Sequence, residues 1–173
     1  MVRKPKLCVR IGQLLPRARM TGAVSAKVPV PMILYGHMLS SASYRVRIAL
    51  GLKGLQVTSV LLDLRGGEQR LEEYLQINTQ GFVPALALND GAVLTQSVAI
   101  IEYLDEIHPD PPLLPQAPLA RARVRALTQA ITCDVHPLNN LRVLHYLEND
   151  LHQDKPAREL WYRHWVQLGF EAL

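Results

Sequence analysis

Cysteine is nearly absent from this chain: Cys8 and Cys133 are its only two in 173 residues. They are too few and too far apart for a disulfide framework, and neither has a metal-ligating spacing. A reducing, cytoplasmic setting is the default for such a protein, and no metal is expected. Long apolar runs are missing as well. None reaches the ~18 residues of a membrane-spanning helix, so no membrane partner is expected. Acidic residues are missing from one region only. Residues 1–31 carry Arg3, Lys4, Lys6, Arg10, Arg17, Arg19 and Lys27 with no Asp or Glu. Setting those seven aside leaves 12 basic against 15 acidic residues, a net charge of −3 over residues 32–173. The overall pI of about 9.3 therefore describes a basic extension and not a nucleic-acid-binding face, and nucleic acid is not expected as a partner. The extension lacks the long apolar stretch of a secretory signal. It is acid-free like a transit peptide but has only Thr21 and Ser25 as hydroxyls. Met20 and Met32 both offer later starts, so residues 1–31 are expected to be a disordered or over-extended leader.

What is present is enough apolar residue, 49 %, to bury a core in one compact body or two small domains. Before residue 108 the pattern alternates. Ile33–Tyr35 reads as a strand, Ser41–Leu52 as a helix, Gln56–Leu62 as a β-branched strand and Gln69–Ile77 as a short helix after Gly66-Gly67. Ala85–Leu88 and Ala92–Thr95 flank Asn89-Asp90-Gly91, a hairpin turn, and Ser97–Ile107 is a helix. This βαβαββα order predicts an α/β thioredoxin-like domain over residues 32–108. Residues 109–118 hold Pro109, Pro111, Pro112, Pro115 and Pro118, a stiff linker. From residue 119 to 173 the pattern turns all-helical, with helical periodicity over Leu119–Leu151 and a further helix over Pro156–Phe170.

The stretch richest in chemistry is Ser40-Ser41-Ala42-Ser43-Tyr44-Arg45-Val46-Arg47-Ile48-Ala49-Leu50. Small hydroxyl residues here open a helix directly after a strand and loop. The first backbone N–H groups of a helix lack internal partners and its dipole favours negative charge, so this start suits an anion or a thiolate. Val46, Ile48, Ala49, Leu50 and Leu52 supply a face to bury. An ordinary serine-capped helix is the plain alternative, and solvated helix charges are the plain alternative for Arg45 and Arg47. His37, in the loop before the helix, is a candidate local acid or base, with an exposed and incidental loop histidine as the plainer reading.

The stretch resembles the S-S-C-x-x-R-V-R-I-A-L signature of zeta-class glutathione transferases, the maleylacetoacetate isomerase family. Four further segments agree in order: Gly66-Gly67-Glu68-Gln69, Asn78–Leu86, Leu94–Leu104 and His136–Leu144. The resemblance runs from about Met32 to the last residue. The family continues with several more helices, so the helical domain here is expected to be truncated, with an apolar face left wet.

The resemblance implies glutathione as cofactor and a maleyl dicarboxylic acid as small-molecule substrate. Ser40 and Ser41 are then the groups that stabilise the thiolate, with Arg45 adding positive potential one turn in. Ala42 stands where the family has cysteine, which is expected to weaken the chemistry. Val83-Pro84 matches a cis-proline position whose Val83 backbone pairs with the cysteinyl unit. Gln96 and Ser97 hold the γ-glutamyl carboxylate, and Gln69 reaches the glycyl end. In the second domain His136 and Asn140, at i and i+4 on one helix face, join Arg142 as a polar trio for a carboxylate-rich ligand. A surface and capping cluster is the alternative there. The implied reaction is glutathione-dependent cis–trans isomerisation of maleylacetoacetate in tyrosine and phenylalanine breakdown. Maleylpyruvate in gentisate breakdown, general glutathione conjugation and a non-catalytic glutathione-binding remnant are the alternatives. A complete family member is expected to be a homodimer.

Overall fold

The computed structural model describes residues 32–173, and the basic extension with Cys8 lies outside the described residues. Two compact units divide between Pro111 and Pro112, inside the proline-dense stretch.

The first unit has the predicted order. Strand β1 (Ile33–Gly36) leads to helix α1 (Ser41–Leu52) and strand β2 (Thr58–Leu61); helix α2 (Glu72–Leu75) leads to strands β3 (Ala85–Ala87) and β4 (Val93–Thr95) and helix α3 (Ser97–Ile107). The sheet order is β2-β1-β3-β4, with β1 parallel to β2 and antiparallel to β3, and β3 antiparallel to β4. This is the thioredoxin-like arrangement. Because side chains alternate along a strand, β1 and β3 feed two separate cores. Ile33, Tyr35, Ala85 and Ala87 pack with Leu62, Tyr74 and Ile77 on one face. Leu34 and Leu86 pack with Val46, Leu50, Ile100 and Leu104 from α1 and α3 on the other.

Local differences from the sequence reading have physical causes. The short helix expected over Gln69–Ile77 is split into a 3-10 turn (Glu68–Arg70) and α2 by Leu71, which is extended at φ −68°, ψ 147°. The break lets the Gln69 amide turn back to Leu64 O at 3.2 Å while Tyr74 stays fully buried. On α1 Ala42, Val46, Ala49 and Leu50, with Ser43, form the buried stripe; Ile48 and Leu52, expected to be buried, are exposed. At 100° per residue they fall outside the i, i+3, i+4 row. The Asn89-Asp90-Gly91 turn forms as expected, with Gly91 at φ +91° and Ala92 N donating to Asp90 Oδ1.

The second unit is helical but not in two long pieces. Helix α4 (Pro118–Gln129) starts inside the predicted linker and passes into a six-residue π-helical segment, Ala130–Val135. A 3-10 turn (Pro137–Asn139) and helix α5 (Leu141–Asn149) follow, then helix α6 (Lys155–Glu171). Two features break the Leu119–Leu151 periodicity. Pro137 has no N–H to donate, and the Thr128 and Thr132 hydroxyls bond the carbonyls of Val124 and Thr128, which loosens the helical ladder. Helix α6 is capped by Asp154, which accepts from Ala157 N at 2.9 Å. It packs at Gly169 so closely on Val135 that a Cβ there would overlap the valine methyl. Val135 and Leu147 are the buried apolar residues of this unit, while Leu119, Leu160, Leu168 and Phe170 stay half or more exposed.

Candidate functional site

The serines singled out from the sequence sit at two helix starts of the first unit, those of α1 and α3. Ser40 is the N-cap of α1, in extended conformation, and its Oγ accepts from Ser43 N at 3.2 Å. Accepting that bond leaves its own O–H available as a donor. Ser41 is exposed at the first helical position, next to N–H groups that the helix cannot satisfy. Ala42, in place of cysteine, is buried. A thiol at that position would start from an inward-facing Cβ.

The loop before α1 is held from three sides. Arg47 donates from Nη1 to His37 O and from Nη2 to Met38 O (3.0 Å), and its guanidinium lies over the Tyr44 ring. His37 N donates to Ser43 Oγ, and a carbonyl can only accept, so His37 Nδ1 must donate to Leu62 O at 2.8 Å. Neither residue matches its sequence reading. Arg47 is a loop clamp and not a merely solvated charge, and His37 is a half-buried structural residue. Gly36 permits the close approach: a Cβ there would come within 3.1 Å of Ser43 Oγ.

At the second helix start, Gln96 has φ +67°, a conformation that side-chain-bearing residues rarely adopt, and its Nε2 donates to Gln80 Oε1 at 3.0 Å. Such strained positions concentrate at ligand clamps. Ser97 follows as the first residue of α3 and is buried. Arg45 crosses from α1 and donates from Nη1 to Ser97 Oγ at 3.1 Å. The structure therefore ties Arg45 to the α3 start, whereas the resemblance places it beside the sulfur. Burial holds the Arg45 guanidinium below its ordinary basicity.

The segment between the helices supplies backbone. Val83-Pro84 is cis, as the resemblance implies, and among the described residues no hydrogen bond engages the Val83 N–H or C=O. Two residues not singled out from the sequence position it. Tyr74 Oη and Asn78 Nδ2 both donate to Phe82 O (2.5 and 2.8 Å), and burial pushes the Tyr74 hydroxyl well above its ordinary pKa. Asn78 entered the sequence reading only as the first residue of the Asn78–Leu86 match; that it serves Phe82 is decided by tertiary structure. Gln69 Nε2 is bonded to Leu64 O, but its buried Oε1 has no partner among the described residues. Gly81, at φ +62°, sits where a Cβ would come within 2.8 Å of Gln69 O.

In the second unit His136 and Asn140 do approach, with Nε2 and Nδ2 3.5 Å apart, but not along one helix face. His136 precedes the 3-10 turn and Asn140 is the extended N-cap of α5, accepting from Arg142 N at 3.2 Å. Pro137 has interrupted the helix that the i, i+4 spacing assumed. The capping part of the alternative reading holds for Asn140, and the Arg142 side chain is exposed. No group of three His, Cys, Asp or Glu residues among the described residues is placed to hold a metal. No helix among them is long and apolar enough to cross a membrane.

A family profile described as the N-terminal domain of glutathione S-transferase matches residues 34–112. Maleylacetoacetate isomerase of Pseudomonas aeruginosa is 48 % identical over 144 residues, covering 82 % of this chain and 68 % of that protein. Maleylpyruvate isomerase of a Ralstonia species is 43 % identical, covering 82 % of this chain and 66 % of its own length. The chain belongs to the zeta-class glutathione transferases. Among solved structures, a zeta-class maleylpyruvate isomerase in its holo form superposes with a TM-score of 0.79 at 41 % identity, over 81 % of this chain and 66 % of that one. A maleylacetoacetate isomerase from Methylobacterium extorquens, holding malonate and glutathione, gives the same TM-score at 44 % identity, over 81 % of this chain and 65 % of that one. The chain thus spans about two thirds of the length of these relatives. Family members are glutathione-dependent enzymes, and the two relatives differ in which maleyl acid their names carry.

Proposed function

We propose that this chain carries the glutathione site of a maleyl cis–trans isomerase, acting first on maleylacetoacetate. The observation that carries the reading is the pair of helix starts in the first unit, one lined by Ser40 and Ser41 and the other by Gln96 and Ser97, with Val83 between them in sequence. Glutathione offers a thiol in the middle and carboxylates towards its ends, and three features of the chain suit it. Among the described residues the buried Gln69 Oε1 lacks a donor, the Val83 backbone lacks a partner, and no carboxylate pairs with Arg45.

Each residue has its own task. Ser40 and Ser41, at the electropositive start of α1, hold negative charge at the sulfur as preorganised donors. Val83 aligns the cysteinyl backbone, and Gln96 and Ser97 hold the γ-glutamyl end. Gln69 serves the glycyl half. Arg142, with His136 and Asn140, offers a cation and amide for a carboxylate of the ligands. When bound, glutathione would supply a nucleophilic thiolate, the chemistry that a reversible cis–trans change at an activated C=C needs. The protein's contribution is orientation and charge stabilisation.

Maleylpyruvate is the second reading, favoured by the Ralstonia relative and by the superposition on a maleylpyruvate isomerase. The test is full-length protein with glutathione and each maleyl acid in turn, followed by loss of substrate absorbance. Glutathione-dependent loss with maleylacetoacetate at the higher kcat/KM supports the first reading. A preference for maleylpyruvate selects the second, and glutathione binding without turnover of either leaves a binding module.

A further inference from the structure

Arg45 is the charged residue of the first unit whose surroundings do not account for it. It is partly buried, and burial lowers its basicity, so its charge is held at a desolvation penalty. Among the described residues no carboxylate pairs with it, and its hydrogen bond runs to the Oγ of a buried serine. A desolvated guanidinium beside a neutral hydroxyl, at a helix end that is itself electropositive, makes a site with positive potential from two sources and no resident anion.

The bond also has a direction. Arginine can only donate, so Ser97 Oγ is the acceptor. One oxygen lone pair is thereby occupied, and the Ser97 proton is turned away from Arg45. A hydroxyl that accepts from a cation is polarised and becomes a stronger donor in its turn. Gln96, just before it, sits at φ +67° and is tied to Gln80 through its side-chain amide.

We infer that Arg45 is a positioning residue for carboxylate recognition: it orients and polarises the Ser97 hydroxyl towards the γ-glutamyl α-carboxylate of glutathione and does not act on the sulfur. The inference rests on the glutathione reading above and goes beyond it by moving Arg45 from the thiolate in the middle of the ligand to its γ-glutamyl end.

The test uses the full chain and two ligands in titration calorimetry: glutathione, and 4-aminobutyrylcysteinylglycine, which lacks only that α-carboxylate. Arg45→Met and Ser97→Ala should each weaken glutathione about tenfold or more, the size of a lost charge-assisted bond. Both variants should bind the decarboxylated peptide as the parent does. The double variant should lose little beyond Ser97→Ala, because Arg45 acts through that hydroxyl. Arg45→Lys, which keeps the charge without the fork, should fall between parent and methionine variant. It also serves as the working variant if Arg45→Met fails to fold by circular dichroism. The ultraviolet thiolate absorbance of bound glutathione should titrate at the parent pH in every variant. Equal losses for both peptides, or a raised thiol pKa in the arginine variants, would place Arg45 at the sulfur and overturn the proposal. Unchanged glutathione affinity would overturn it as well. A parent protein that binds neither peptide refutes the underlying glutathione reading, a separate and recognisable result.

Discussion

Lys53 offers the sharpest test of how the first unit is held. Its side chain is fully buried at the C-terminal end of α1, and its Nζ meets three acceptors: Asp105 Oδ1 at 2.5 Å, His108 O at 2.6 Å and Pro111 O at 2.5 Å. An ammonium has three protons, so its donor capacity is filled. The three acceptors come from the last turns of α3 and from the start of the proline-dense stretch, so one cation closes the end of the unit. Lys53→Met keeps the apolar stem and removes the charge. Asp105, whose side chain is only 15 % exposed, then loses the Lys53 ammonium, and two carbonyls lose their donor. Breaking a buried pair on one side costs about 3–5 kcal/mol. The partial exposure of Asp105 admits water, which places the expectation in the lower half of that range, about 3–4 kcal/mol. For a domain whose total stability is about 5–15 kcal/mol, that is a large fraction. Urea unfolding followed by far-ultraviolet circular dichroism measures it. Asp105→Asn, which keeps an acceptor oxygen but not the charge, should lose clearly less than Lys53→Met. A Lys53→Met midpoint within about 1 kcal/mol of the parent would mean that the three contacts are offset by the desolvation of the lysine, and the reasoning would fail.

Three further outcomes follow from the geometry. Replacing both Ser40 and Ser41 with alanine should slow isomerisation by about 10²-fold or more while glutathione still binds, because the ligand's carboxylates are held elsewhere; parent-rate turnover would remove the loop from the chemistry. Gly81→Ala should destabilise the protein by about 1–3 kcal/mol in urea unfolding, since a side chain there meets both a positive φ and Gln69 O. Trp161→Phe deletes the Nε1 bond to Leu138 O at 2.8 Å and should lower the thermal midpoint by the equivalent of about 1 kcal/mol, with no change in glutathione affinity by calorimetry.

The sequence by itself determined the α/β order of the first unit, the helix Ser41–Leu52 to the residue, the Asn-Asp-Gly turn and the all-helical character after the prolines. These are local matters. Strand alternation, a serine cap, turn residues that tolerate positive φ and a proline that cannot donate all act within a few positions of themselves. The signature around Ser40 also marked the family, because the resemblance lies in a contiguous run of residues that can be compared without knowing the fold. Tertiary structure decided what long side chains do. The spacing of Arg45 and Arg47 along α1 is the same for two solvated charges as for one clamp and one cross-helix donor. Only the approach of α3 gives Arg45 its bond to Ser97, and only the path of the preceding loop gives Arg47 its carbonyls. The i, i+4 spacing of His136 and Asn140 misled for the same reason in reverse. It presumes a continuous helix, and Pro137 together with the π-helical segment before it removes that helix while leaving the two side chains close.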